Sequence, residues 1–338
     1  MKRTNIIVLI ITVLAFFVVS FPAYGAENVI RLKYANFFAP AHEQTVITEQ
    51  WCKEVEKRTN GRVKITVFSG ATLVSATQVY DATEKGVADI GQTIFAYAAG
   101  RFPLTEVIDL PLSYANGEQA TKLINAYYKK FKPKELDDTK VMYLHAPGPG
   151  LFHVKKEIAS LDQLKGMRIK ATGNNAKIVQ ALGAVPVTVS VGETYEALQR
   201  GLCEGILMAT DVLKSYKFGD FLKCTVVNKG MAYTSGMFVV MNKKKWNSLP
   251  PDIQKIIEQI NEEWPEKVGK VWDEVDRKAE EMVLKVGHKF VQASKEDEEK
   301  VREKMQPILE EYVKNTKAKN LPGDEVLKFC LDYIKNYK

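Results

Sequence analysis

Two α/β lobes followed by a helical region are what this sequence predicts, and three observations predict them. Strand and helix signals alternate from Ile30 to Met208, one helix–glycine–strand junction recurs in both halves of that stretch, and beyond Asn242 the pattern turns almost wholly helical.

IRLKYAN (30–36) alternates with the period of two of a half-buried strand. Residues 42–59 place Val46 or Ile47, Trp51 and Val55 on one helical stripe, which Asn60-Gly61 stops. VKITVF (63–68) is a strand again, a helix runs through Tyr80 and Ala82 to Gly86, and VADIGQTI follows as a buried strand. After Leu136 the order restarts with KVMYLH and LFHVKK, then a capped turn at Ser160-Leu161-Asp162-Gln163 that fits the S-x-x-Q capping box. RIKAT, a helix over 176–182, VPVTV, another helix and LCEGILM complete the alternation. The recurring junction is ATEKGVAD (82–89) and ALQRGLCE (197–204): helix end, basic residue, glycine, aliphatic, small residue, acid. Either such junctions look alike everywhere, or the chain holds two lobes of similar design. Past Asn242, Leu249-Pro250-Pro251-Asp252 opens a long amphipathic helix through Trp264, Trp272 and Met282, and helices over 296–315 and 324–337 end the chain.

The amino terminus has the grammar of a secretory leader. Lys2 and Arg3 precede an apolar run from Ile6 to Val19, and Ala23-Tyr24-Gly25 offers small residues for cleavage before Ala26. An uncleaved amino-terminal anchor is the other reading of the same run. No later segment is long and apolar enough to span a bilayer. Losing Lys2 and Arg3 lowers the formal charge from +7 to +5, and the remaining basic residues interleave with acids, which excludes a nucleic-acid track. Cys52, Cys203, Cys224 and Cys330 are far apart with no CxxC pair, so neither metal ligation nor thioredoxin-like chemistry is expected; buried thiols and disulfides both remain open.

Enzyme signatures are missing: there is no G-x-S-x-G, H-E-x-x-H, Walker loop or G-x-G-x-x-G, and the four histidines show no i, i+4 pairing. Attention therefore falls on loops after strands: Phe37-Phe38-Ala39-Pro40, the stretch 92–97 from Gln92 to Tyr97, Pro147-Gly148-Pro149-Gly150, and 170–175 from Lys170 to Asn175. Open α/β sheets bind ligands at strand carboxyl ends, and an asparagine opening the next helix leaves free N–H groups for an anion. In GMRIKATG (166–173), Arg168 and Lys170 share strand parity about 7 Å apart. They form either a solvated edge or an anion site, and in the latter case Lys170 is the expected partner unless a register change puts Arg168 there.

GVADIGQTIFAYAAGRFPLTEVIDLP, SLDQLKGMRIKATG and GETYEALQRGLCEG resemble the solute-binding proteins of TRAP transporters, of the dicarboxylate-binding type, and the resemblance covers roughly residues 30–309. It implies a two-lobed periplasmic-binding-protein fold with long hinge strands and a lobe-spanning helix. It also implies delivery of an organic acid to the membrane subunits of a TRAP permease, as a periplasmic monomer without cofactor or metal. The expected partition is a leader over 1–25, one lobe over 26–148 with about 237–265, and a second over 149–236 with about 266–338. Two departures bear on the ligand. Where the family usually has K-I-R after the LKG turn, with the arginine clamping a carboxylate, this chain has Arg168-Ile169-Lys170, which gives a point charge instead of a fork. An arginine and an asparagine found in relatives fall on Gly150 and Met208. The expected charge contacts are Lys170 with Thr172 and Asn174, and the expected ligand body lies against Phe37, Phe38, Gln92 and Tyr97, with Phe152, Met208 and Tyr195 from the other lobe. A carboxylate with an apolar or aromatic body suits that set. A ligand-sensing module for a signalling partner, or an exported enzyme on the same fold, are the rival readings.

Overall fold

The computed structural model describes residues 29–98 and 100–337; the leader expected over 1–25 lies outside them. Two sheets organise the chain. The first takes β1 (Ile30–Asn36), β2 (Val63–Phe68), β3 (Ile90–Ile94), β4 (Thr139–His145) and, late in the chain, β10 (Met237–Asn242), in the order β2-β1-β3-β10-β4. The second takes β5 (Leu151–Val154), β6 (Arg168–Lys170), β7 (Val185–Val187), β8 (Gly205–Met208), β9 (Cys224–Val227) and β11 (Lys289–Gln292), in the order β11-β9-β5-β8-β6-β7. Each contains a parallel trio bordered by an antiparallel strand: β2-β1-β3 with β10, and β7-β6-β8 with β5.

The repeated junction is a structural repeat. Gly86 and Gly201 both adopt positive φ (79° and 71°), where a side chain would be strained. In the first sheet Asp89 N–H donates to Lys33 O at 3.0 Å, while the Asp89 carboxylate accepts from Lys33 N–H at 2.7 Å. In the second, Glu204 N–H donates to Arg168 O at 2.7 Å, and its carboxylate accepts from Arg168 N–H at 3.1 Å. The acid of each junction thus satisfies a backbone N–H of the neighbouring strand, mid-strand at Lys33 and at the strand start at Arg168. The expected capping box at Ser160 is a single 3-10 turn (Leu161–Leu164), with Gln163 accepting instead from Ala159 N–H at 2.6 Å. Glu193 makes the reciprocal contact two helices later, accepting from Ser190 N–H at 2.8 Å.

Ten α-helices flank the described sheets. In α1 (Glu43–Arg58), His42 Nδ1 caps Gln44 N–H at 3.0 Å, and Ile47, Trp51 and Val55 pack inward while Val46 faces out, which settles the stripe. The others are α2 (Val79–Glu84), α3 (Gly117–Phe131), α4 (Asn175–Ala181), α5 (Val191–Gln199), α6 (Val212–Ser215), α7 (Lys243–Asn247), α8 (Pro251–Leu284), α9 (Lys295–Ala318) and α10 (Gly323–Asn336). Among the described residues, no helix is long and apolar enough to cross a membrane.

Between the sheets, segments 146–150 and 228–236 run side by side, joined by the antiparallel Gly150–Tyr233 bridge. The 34-residue α8 packs on α1, α3 and β4 as well as on α6. Its hydrogen bonds change sides within about one turn. Trp272 Nε1–H donates to His145 at 3.1 Å and Asp273 accepts from Gly117 N–H at 2.6 Å, both beside the first sheet, whereas Asp276 accepts from Asp211 N–H at 2.7 Å, after β8 of the second. All four cysteines are free buried thiols, and burial pushes the Cys330 thiol up to about 12.

Candidate ligand site

Four parallel strands from the two sheets aim their carboxyl ends at one cavity of about 70 Å3. Phe37 and Phe38 follow β1, Tyr97 follows β3, Lys170 and Thr172 end β6, and Met208 with Asp211 end β8. Trp272 of α8, Pro147, Tyr233 and Ser235 of the two crossing segments, Asn175 and Tyr216 supply the rest of the polar and aromatic wall. Strand carboxyl ends gather ligands because side chains there leave the sheet without burying a strand's hydrogen-bonding edge. The space is about half of the roughly 150 Å3 that admits benzene in an engineered apolar cavity.

Lys170 is the cation in this cavity. Its side chain is 3% exposed, no carboxylate lies within ion-pair distance among the described residues, and Nζ rests 3.5 Å from Met208 Sδ. Burial without a countercharge lowers its pKa from the ordinary 10.5 to about 8. Arg168 has the same strand parity and the opposite environment. It lies at the outer end of β6, half-exposed, with Nε 3.6 Å from Glu204 and a guanidinium nitrogen donating to Gly201 O at 3.0 Å.

Beside Lys170, buried polar atoms stand without partners. Among the described residues six side-chain atoms do so, and three belong to the cavity wall: Thr172 Oγ1, Asn175 Oδ1 and Tyr216 Oη. Such atoms cost free energy when left unmade, so their concentration here marks where a ligand or water belongs. The surface recess of about 460 Å3 between Ser160 and Lys304 is larger but has no such atom.

An aromatic wall faces this polar one. Phe37 and Phe38 ring centroids are 4.1 Å apart, Tyr97 meets Phe37 edge-on at 6.3 Å, and Phe38 lies 5.8 Å from Trp272. Links between the sheets close the mouth: His42 Nε2–H donates to Asp211 at 3.2 Å, Lys214 to Glu43 at 2.6 Å, and Val191 N–H to Tyr97 Oη at 3.1 Å. The Gln44 N–H bond to His42 Nδ1 leaves the imidazole proton on Nε2. Burial and the Asp211 charge push the Asp276 carboxyl well up.

Of the ten expected contacts, Phe37, Phe38, Tyr97, Lys170, Thr172 and Met208 come together here. The other four lie elsewhere. Gln92 sits behind the wall, linking Tyr34, Thr48 and His145 at 2.9–3.1 Å, and through His145 it supports Trp272. Phe152 is fully buried in the second sheet, paired with Leu207 and Val226. Tyr195 is 38% exposed and packs on Phe221. Asn174 opens onto an outer recess beside Lys177 and Tyr312, because the turn into α4 brings Asn175 to the cavity in its place. Asp211, Tyr216 and Trp272 are wall residues that the strand-and-loop reading misses. Gly150, on which the resemblance put an arginine of some family members, has no room for a side chain: a Cβ there would stand 2.1 Å from Tyr233 Cε1.

The comparisons agree with this architecture. The family model of bacterial extracellular solute-binding protein, family 7, matches residues 34–315. A monocarboxylate 2-oxoacid-binding periplasmic protein of Nostoc sp. is 28% identical over 73% of this chain and 70% of its own length. The outer membrane transporter protein TsaT of Comamonas testosteroni is 26% identical over 86% and 88%. A TRAP periplasmic solute-binding protein of Desulfovibrio salexigens, solved as an open complex, superposes with a TM-score of 0.82 at 32% identity, over 91% of this chain and 97% of that one. One from Rhodoferax ferrireducens, in complex with copurified benzoate, gives 0.86 at 27%, over 91% and 98%. With two lobes, a cleft at the strand ends and this match over most of its length, the chain belongs to family 7 of the bacterial extracellular solute-binding proteins, the TRAP periplasmic binding proteins.

Proposed function

We propose that the protein captures a small organic acid with a largely apolar body and delivers it to a TRAP-type permease, working as a cleaved periplasmic monomer that leaves the acid unchanged. The buried, acid-free ammonium of Lys170 carries this reading. A carboxylate brought to Nζ supplies the missing countercharge, and Thr172 can donate to it. Phe37, Phe38 and Trp272 take the apolar body. The benzoate of the Rhodoferax neighbour and the 2-oxoacids of the Nostoc relative are monocarboxylates of this description. A ring of benzene's size needs more than the about 70 Å3 present, so it enters with the cleft partly reopened. The expected partition of the chain, 26–148 with about 237–265 against 149–236 with about 266–338, places the cleft between the two units.

Mass spectrometry of small molecules released from natively purified protein, followed by thermal-shift screening of carboxylates, tests the proposal. A true ligand at about 100 times its Kd adds about 2.7 kcal/mol of stability. Stabilisation by sugars or amines, with no carboxylate active, overturns it.

A further inference from the structure

We propose that the acid carries a hydroxyl group as well as its carboxylate, and that Tyr216 and Asp211 recognise it, Tyr216 O–H donating to the hydroxyl oxygen and the hydroxyl donating to Asp211 Oδ1. The inference rests on the assignment of the carboxylate to Lys170 and goes one step further into the same cavity.

Tyr216 Oη is buried in the cavity wall with no partner, although the ring itself is well held, stacked on Phe218 at 5.6 Å and 5.7 Å from His42. Buried tyrosines normally find a partner for the hydroxyl. Asp211 Oδ2 is already engaged, accepting from His42 at 3.2 Å and from Ser215 Oγ at 3.0 Å, while among the described residues no hydrogen bond is made to Oδ1. A hydroxyl needs one donor and one acceptor, and this part of the wall offers one of each. Charge decides against a second carboxylate here. Lys170 ends β6, whereas Asp211 follows β8 with the Asp276 carboxyl hydrogen-bonded behind it, so an anionic group near Tyr216 would be repelled where a neutral one is not. An ammonium is the competing occupant. It needs about three acceptors to offset its desolvation, and Asp211 Oδ1 with the phenol oxygen supplies two.

Specificity built on paired polar groups is steep, because an analogue lacking the hydroxyl leaves both groups unpaired. Calorimetry on ligand-free protein with matched acids tests it: 3-hydroxybenzoate against benzoate, mandelate against phenylacetate, 2-hydroxyisovalerate against isovalerate, with valine as the ammonium probe. The expected result is that at least one hydroxy acid binds about tenfold or more tightly than its partner. Tyr216→Phe keeps the stack on Phe218 and should bring that pair within about twofold, by weakening the hydroxy acid far more than its unhydroxylated partner. Equal weakening of both members places Tyr216 on the carboxylate and overturns the proposal, as does the absence of preference in every pair. Valine binding more tightly than 2-hydroxyisovalerate overturns it in favour of an amino acid. If the unhydroxylated acids bind and the hydroxyl changes nothing, this inference alone falls; if no acid binds, the Lys170 assignment falls with it.

Discussion

Replacing Lys170 with methionine should move stability and binding in opposite directions. The two side chains are similar in length, so the packing against Met208 is largely kept. In the empty cavity the ammonium is buried without a countercharge, and a fall in pKa from 10.5 to about 8 corresponds to about 3 kcal/mol lost on folding. Because the folded value lies below the unfolded one, the penalty is full below about pH 8 and fades as pH rises towards 10.5. Lys170→Met should therefore stabilise the ligand-free protein by up to about 3 kcal/mol at pH 7, with the gain disappearing in alkali. The same change removes a charged hydrogen bond of about 1.5–3 kcal/mol to the acid, weakening binding about tenfold or more. Above about pH 8 the wild type should lose affinity as the free lysine releases its proton, whereas the variant's affinity should stay level. Urea denaturation and calorimetry at pH 7 and pH 9.5 measure both arms. A variant that binds like the wild type, or one that is less stable when empty, refutes the reasoning.

Arg168→Met should change affinity by less than about twofold, since the guanidinium is half-exposed and already holds Glu204 and Gly201; calorimetry beside Lys170→Met decides which cation serves the ligand. Lys214→Ala removes one of the links across the mouth and should weaken binding by up to about fivefold. It should also enlarge the ligand-free molecule in small-angle scattering, and unchanged dimensions would count against a latch. Gly150→Ala forces a methyl against the Tyr233 ring and should cost about 1–3 kcal/mol in urea denaturation; wild-type stability would mean the ring gives way freely.

Local periodicity made the alternating elements legible, because each parallel strand and its following helix bury one face. β10 is buried at all six positions and so shows no alternation to read. α3 carries its own signal, Asn116 capping Gln119 N–H and Leu123, Ile124 and Tyr127 buried at helical spacing, which a search for strand–helix alternation passes over. Lys170 was legible as a candidate from its place at a strand end, but parity alone could not separate it from Arg168. The discriminating clue was the repeated junction, which ties Arg168 to Glu204 as Lys33 is tied to Asp89. Asp211 and Tyr216 follow β8 and so obey the rule that found Phe37 and Tyr97. Trp272 could not be placed this way, since nothing local marks one tryptophan of a long amphipathic helix as facing a cleft.

The change of sides along α8 has a mechanical consequence. Since Trp272 and Asp273 are held by the first sheet side and Asp276 by the second, an opening that keeps these bonds turns about an axis passing near that single turn, roughly 6 Å of helix. Displacement grows with distance from a pivot. Trp272 therefore stays almost stationary against Phe38, while Glu43 and Lys214 at the rim sweep the longest arc. An arriving acid meets a fixed landing floor whether the jaws are wide or narrow, and only its later contacts have to wait for closure.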